Sequence, residues 1–452
     1  MPSSVVQRTT RFSRDLAHAA SRPLPAGVDQ AARRSLFNVF GTTIGAATSP
    51  AVEVALETVR TLRITGSVPV LGRRDTVDRH WGALIAGTAG HYDDFDDTHL
   101  ATVIHPGAAT LGVLVALHDT PVASGEAFLR AFALGCEAQL RIGNAISPNH
   151  YDRGWHITGT CGVFGATVAA AVILGYDADR LEAALAAAST MTLGHREAFG
   201  SMTKPFHAGK AAANGLLAAQ RGARGGAAFE ALGDFGILTM FADAVDDAKL
   251  FGSWDGDWEL ERNAFKPYPC GIVAHPAIDA ALEAGAKVTA DAIVGIDVSC
   301  HPLVPELMGI EQPADGLQAR FSARHGVAVG LLDRTVGLAQ FSDARATSAD
   351  ATRLRAITRL VPSDDCARDA ATVTVHSADR DDVVAHVPHA RGSLARPLTD
   401  AELSAKVSAL TEPVLGIDTG AALLRAVEEI DAPTGFADVL AAALPAQERE
   451  RV

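Results

Sequence analysis

Through the first part of the chain, apolar residues recur at the three-to-four spacing of amphipathic helices. Residues 29–46 place Ala32, Leu36, Val39, Phe40 and Ile44 on one face. Segments 51–62, 81–91, 107–118, 124–146 and 158–175 repeat the pattern in text rich in Ala, Gly and Leu. Gly175 suits the end of one helix and Asp177 the start of the next, DADRLEAALAAAS. Small residues at this frequency let helices pack closely, which predicts a large helical core. Near residue 270 the period changes. Residues 291–300 alternate Ile296, Val298 and Cys300 as a strand does, and 371–376 with 382–388 predict a hairpin across SADRD. Helices are expected over 326–339 and 348–360. From Thr399 the text is helical again, with Glu402 at capping-box spacing. The tail QERERV is expected to fray.

Composition narrows the class. At 452 residues the chain is long enough for two large domains or about three ordinary ones. Hydrophobic residues make up 48% and charged residues 20%, values of a globular protein. A net charge of −14 argues against nucleic acid and against an anionic membrane surface as partners, since both require a basic face. It does not argue against an anionic substrate, because a few local cations suffice for that. Five scattered cysteines without a CxxC pair predict reduced thiols and a cytoplasmic location. The N-terminal MPSSVVQRTTRFSRDLAHAA has no apolar core for a signal peptide. Ile157–Tyr176 is uncharged over about twenty residues, the length of a membrane span. Its glycines and the acidic residues that follow favour a buried helix instead.

Polar groups crowd into apolar, glycine-rich text at four places: 91–107 (HYDDFDDTHLATVIHPG), 150–160 (HYDRGWHITGT), 200–210 (GSMTKPFHAGK) and 266–276 (KPYPCGIVAHP). Single histidines or helix-capping aspartates are ordinary, but four such clusters are costly to bury without a purpose. His91, Asp94, Asp97 and His99 offer metal-ligand types, yet no HExxH or calcium-loop pattern accompanies them, and no metal is expected. The run GTCGVFG follows no strand, GK at 209–210 lacks P-loop spacing, and no GxSxG elbow exists. Cys270 and His275 are near in sequence, where a packed thiol is the ordinary reading. What remains is cofactor-free acid–base chemistry. Removing a proton beside a carboxylate builds charge on its oxygens, so cations and a tuned base are required, and Lys, His and Tyr supply both.

These clusters resemble the MmgE/PrpD family. The matching text is HYDDFDDTH followed by HPG, GWHITGTCGVFGA, MTKPFHAGKAAANG, and KPYPC followed by AHPAIDA. Weaker agreement runs through GLQARFSARHGVAVGLL and RGSLARPLTDAEL, so the resemblance covers nearly the whole chain. The family includes 2-methylcitrate dehydratases, cis-aconitate decarboxylases and iminodisuccinate epimerases. It implies a mainly α fold, with a large all-helical domain from both chain ends (1–270 and 399–452) and an inserted α/β lid domain (271–398). It also implies a homodimer with the active site between domain and lid. The decarboxylase pattern falls on Asp94, Thr98, His105, His156, Lys204 and His275, and the epimerase pattern sets Tyr151 opposite Lys204. Catalytic roles are thereby implied for Lys204, His105, His156, Tyr151 and His275, and substrate binding for Asp94, Thr98, His207 and Lys266. The text THLATVIHPG departs from the tryptophan-containing text of bacterial methylcitrate dehydratases, and Trp155 stands where the animal decarboxylase has phenylalanine. The expected activity is a lyase (dehydratase or decarboxylase) acting on a small di- or tricarboxylate. An epimerase comes second, and a non-catalytic carboxylate-binding dimer is the remaining alternative.

Overall fold

The computed structural model describes residues 7–120, 124–226 and 228–446, so the tail QERERV lies outside the described residues. The helices of the first part of the chain are α1 (Arg8–Ala20), α2 (Ala26–Gly45), α3 (Pro50–Thr61), α4 (Arg79–Tyr92), α5 (Pro106–Ala116) and α6 (Gly125–Ile146). They continue as α7 (Asn149–Asp152), α8 (Ile157–Ile173), α9 (Ala178–Ser189), α10 (Thr203–Gly222), α11 (Ile237–Phe241) and α12 (Asp247–Leu250). Side chains cap several starts: Asp78 accepts from the Trp81 amide, Ser124 from Ala127 and Asp177 from Arg180. Gly175 adopts φ +68°, the left-handed conformation that its place after α8 requires. Helices α1, α7, α10, α11 and α12 have no counterpart among the sequence expectations; Phe12, Leu16 and Ala19 form the buried stripe of α1.

Small residues set how closely these helices meet. A Cβ on Gly87 of α4 would stand 2.9 Å from the Gly209 Cα of α10. One on Gly135 of α6 would stand 2.7 Å from the Gly165 carbonyl of α8. Helix α8, the uncharged run, is buried along nearly its whole length inside this bundle. Among the described residues, no single helix is long and apolar enough to cross a membrane. Two short antiparallel pairs interrupt the helices, β1 (Val68–Pro69) with β2 (Thr76–Val77), and β3 (Asp97–His99) with β4 (Asn263–Phe265).

A second hydrophobic core gathers residues between Tyr268 and Val387, separate from the core of the bundle. It contains α13 (His275–Gly285), β5 (Ile293–Cys300), α14 (Leu303–Leu307), α15 (Gly316–Ala319), α16 (Ala323–Asp333), α17 (Asp343–Ala346) and α18 (Ala349–Ala356). Three more strands follow, β6 (Thr358–Pro362), β7 (Ala371–Ser377) and β8 (Val383–Val387). The sheet order is β6-β5-β7-β8; β5 and β6 are parallel and the other pairs antiparallel, including the predicted hairpin. Two expectations are corrected here. The helix begun near 326 ends at Asp333, where Arg334 turns left-handed at φ 55°. The helix begun near 348 ends at Ala356, because Thr358–Pro362 pairs along β5 and sheet hydrogen bonds override the helical pattern.

The chain then returns to the bundle through α19 (Asp400–Leu415), α20 (Thr419–Glu428) and α21 (Gly435–Ala442). Thr399 and Glu402 form the expected capping box. Val407 and Leu410 of α19 seat against Gly41 and Gly45 of α2, so the last helices share the first core.

Candidate active site

Prolines place the reactive side chains at helix starts. Pro106 opens α5 directly after His105, Pro205 lies in the first turn of α10 beside Lys204, and Pro276 follows His275 in the first turn of α13. A first-turn proline costs no hydrogen bond and fixes the helical φ. His156 is likewise the residue before α8. His105, His156 and Lys204 line one pocket together with Asp94, Tyr151 and Lys266. The positive ends of α5, α8 and α10 therefore sit beside a space suited to anions.

The four aspartates of 91–107 each have a separate set of partners. Asp94, in left-handed backbone at φ 51°, is the shared acceptor of two ammonium groups, Lys204 Nζ at 2.6 Å and Lys266 Nζ at 3.0 Å. Lys266 also donates to the Asp94 carbonyl. Asp96 accepts from His91 Nδ1 at 2.7 Å and lies 3.3 Å from His105 Nδ1. Asp97 is structural, held by Ser35, Asn263 and the Gly107 amide. Asp93 pairs with Arg320 at 2.7 Å, joining the bundle to the α/β part.

Protonation follows from these contacts. Burial pushes Asp94 up, yet Lys204 and Lys266 overcome it and hold the carboxyl well below its usual range. Burial also lowers Lys204 from its ordinary value, against the pull of Asp94. Burial lowers His105 and His156, which leaves both imidazoles neutral near pH 7. His105 Nδ1 lies 3.0 Å from the Asp97 carbonyl, which can only accept, so Nδ1 carries the hydrogen and Nε2 is a free base. Tyr151 is raised to about 12 by burial and so keeps its proton. Its ring carries the Arg196 guanidinium 4.4 Å from the centroid. The Lys204 ammonium lies 5.6 and 5.5 Å from the rings of Phe199 and Phe321, which shield it from water.

Three of the expected site residues stand off this cavity. Thr98 Oγ1 is 3.1 Å from His105 Nδ1 and orients that ring. His207 sits behind His156, their Nδ1 atoms 2.9 Å apart. His275 directs Nε2 at the Cys270 carbonyl and lines a larger adjoining pocket, which shares Val103, Tyr151, Ile272, Val273 and Leu307 with the first. Its neighbour Cys270 is buried and pushed upward by that burial, which suits a packed thiol rather than a nucleophile.

The four residues weighed as metal ligands are dispersed. Asp94 holds lysines, Asp97 holds Ser35 and Asn263, and His99 bonds Thr102 and Glu259. A different buried trio, His91, Asp96 and His105, brings one ligand atom each within 4.8 Å. Its atoms are engaged with one another as a histidine–carboxylate network.

Sequence reasoning missed several contributors. Lys406 of α19 reaches the Asn38 side chain and the Phe95 carbonyl, anchoring the 91–99 segment, and burial lowers it to about 7. Within an amphipathic helix a lysine reads as solvent-facing, so no local signal marked it. Arg320 stood inside a quoted motif without an assigned role. Phe199, Leu307, Met308 and Phe321 complete the cavity wall and read in sequence as ordinary core.

The MmgE/PrpD N-terminal domain model matches residues 10–241 and the C-terminal domain model matches residues 268–432. The human cis-aconitate decarboxylase is 26% identical over 435 residues, covering 89% of this chain and 88% of that protein. The mouse cis-aconitate decarboxylase is 32% identical over 228 residues, 48% of this chain and 46% of that protein. The Aspergillus terreus cis-aconitate decarboxylase is 23% identical over 357 residues, 72% and 71% of the two chains. With both domain models matched and the first alone spanning half its length, the chain belongs to the MmgE/PrpD family.

Proposed function

We propose that this protein is a lyase acting on a small tricarboxylate by acid–base chemistry without a cofactor, with decarboxylation as the first reading. The observation that carries the proposal is the convergence of Lys204 and Lys266 on Asp94 beside two neutral imidazoles and a neutral phenol in one pocket. Similarity to cis-aconitate decarboxylases over most of the chain supports the choice of substrate class.

In this reading the lysines hold substrate carboxylates. Breaking a carbon–carboxylate bond releases carbon dioxide and leaves an electron pair delocalised onto a neighbouring carboxylate. Lys204 and Lys266 stabilise that charge where it develops. A proton from Tyr151 or from His156, once protonated, then reaches carbon, while the Nε2 of His105 accepts a proton where the reaction begins at a C–H bond. The same cavity supports dehydration by these groups. Epimerisation is the second reading, with Tyr151 and Lys204, which both line the pocket, as the candidate acid and base. The proposal includes a homodimer, for which Phe229, Phe235 and Met240, exposed to 55%, 99% and 68%, supply apolar surface. It also includes a cytoplasmic location, consistent with five free cysteines.

The test is proton NMR in deuterated water against a panel of di- and tricarboxylates. Bicarbonate release with new vinyl protons indicates decarboxylation, vinyl protons alone indicate elimination, and loss of a C–H signal alone indicates epimerisation. Tight binding with no hydrogen exchange would refute the enzymatic reading.

A further inference from the structure

We infer that His207 is a proton-relay residue connecting His156 at the cavity wall with solvent. The inference rests on the acid–base reading above for the role of His156 and for the substrate used in rate measurements, while the hydrogen bond and its exchange are tested without turnover.

The hydrogen bond between the two Nδ1 atoms, 2.9 Å long, bridges 51 positions of sequence. Only one of the two nitrogens can carry the shared hydrogen. The ring of His156 lines the cavity, whereas the ring of His207 does not. His207 Nε2 has no protein partner among the described residues, and it is not among the buried atoms left without one. The exposed His195 lies beyond it, with ring centroids 6.0 Å apart, a gap that water can span.

The surroundings are shaped to this ring. A Cβ on Gly159 would stand 2.9 Å from His207 Cβ, and one on Gly194 would stand 3.3 Å from its Nδ1. The loop that carries Gly194 is tied down by the His156 amide donating to the Gly194 carbonyl and the Arg196 amide donating to Gly154. Burial, followed by His91 and Lys204, holds His156 well below its ordinary range, and burial with Lys210 brings His207 to about 4. Both rings are then neutral near pH 7, so one Nδ1 is free to accept the hydrogen of the other.

The relay balances. When His156 Nε2 takes a proton from substrate, its Nδ1 proton passes to His207 Nδ1, and His207 releases its Nε2 proton to water. Each imidazole gains one N–H bond and loses one. Decarboxylation consumes one proton at carbon per turnover, and the same transfers then run inward. Such a route lets His156 reset while substrate or product still fills the pocket that Phe199, Phe321 and Met308 help to line.

The test uses His207→Asn, whose amide can replace Nδ1 as a hydrogen-bond partner but cannot pass a proton through. With cis-aconitate as probe, kcat is expected to fall about tenfold or more at unchanged KM, with restoration by added imidazole. Full activity, or a loss that imidazole does not restore, overturns the relay. A second arm needs no turnover. With ¹⁵N-labelled histidine, the wild type is expected to show scalar coupling between the two Nδ1 nuclei, and the His156 ring proton should exchange with solvent more slowly in the variant. Absent coupling or unchanged exchange overturns the relay even if no polycarboxylate is turned over. A wild type inactive on the whole panel, with coupling and slowed exchange present, counts against the substrate reading alone. Gly159→Ala, which crowds His207, is expected to slow exchange in the same direction.

Discussion

Lys204→Met separates what the buried lysine does for the fold from what it does for the reaction. The methionine keeps an unbranched side chain between Phe199 and Phe321, where sulfur packs well against rings. What is lost is the 2.6 Å contact with Asp94. A hydrogen bond between charged groups contributes about 1.5–3 kcal/mol. Asp94 keeps Lys266 at 3.0 Å, so no carboxylate is stranded. The stability cost should therefore stay below the ~3–5 kcal/mol typical of leaving a buried charge unpaired. Asp94→Asn is the opposite case, because it leaves two buried ammonium groups without their shared counter-charge, and it should reach that larger range. For turnover the order reverses. Removing one preplaced cation from a developing carboxylate charge costs about 2.7–4 kcal/mol, or roughly 10²–10³-fold in kcat. Denaturant titration and proton NMR of cis-aconitate consumption read the two effects on the same samples. Full turnover by the methionine variant would refute the scheme, and equal destabilisation by both variants would refute the bridging role of Asp94.

Other consequences can be tested directly. Burial first of all pushes His91 and His275 to about 3 and His150, His207 and His325 to about 4, from an ordinary 6.5. Between those values the unfolded chain binds more protons than the folded one, so the melting temperature should fall as pH drops from 6.5 toward 4; a flat profile would contradict their burial as neutral rings. Gly87→Ala would bring a Cβ to 2.9 Å from backbone atoms of α10, and a loss of about 1–3 kcal/mol is expected in urea unfolding. Turnover should survive exhaustive chelation; loss with recovery on adding a divalent metal would instead make His91, Asp96 and His105 a metal site.

The four reactive segments were legible because each breaks an apolar pattern with charged groups next to a proline or glycine. The start of α5 after His105 was among the expected helices, whereas α10 and α13, whose first turns hold Lys204 and His275, were not. Local chemistry could not say which residues face the cavity and which stand one layer behind. Thr98 and His207 are separated from the cavity by the very histidines they contact. The Asp93–Arg320 pair joins positions 227 apart, and Lys406 reaches Phe95 across 311, so neither leaves a trace at local spacing. Strand β6 was equally hidden, since Thr358–Pro362 becomes a strand only where β5 offers an edge.

The inner cavity has an unequal wall. Its ionisable side chains come from the bundle and from Lys266, at the end of the strand paired to it, whereas Gly271, Ile272, Val273, Leu307, Met308 and Phe321 are apolar and belong to the α/β part. Under the proposed function, reactivity and selectivity are thus encoded in different stretches of gene. Substitutions on the apolar side can reshape the space offered to a substrate's non-reacting portion while every proton-handling group keeps its partners. A lineage built this way can diverge in what it accepts long before it diverges in what it does.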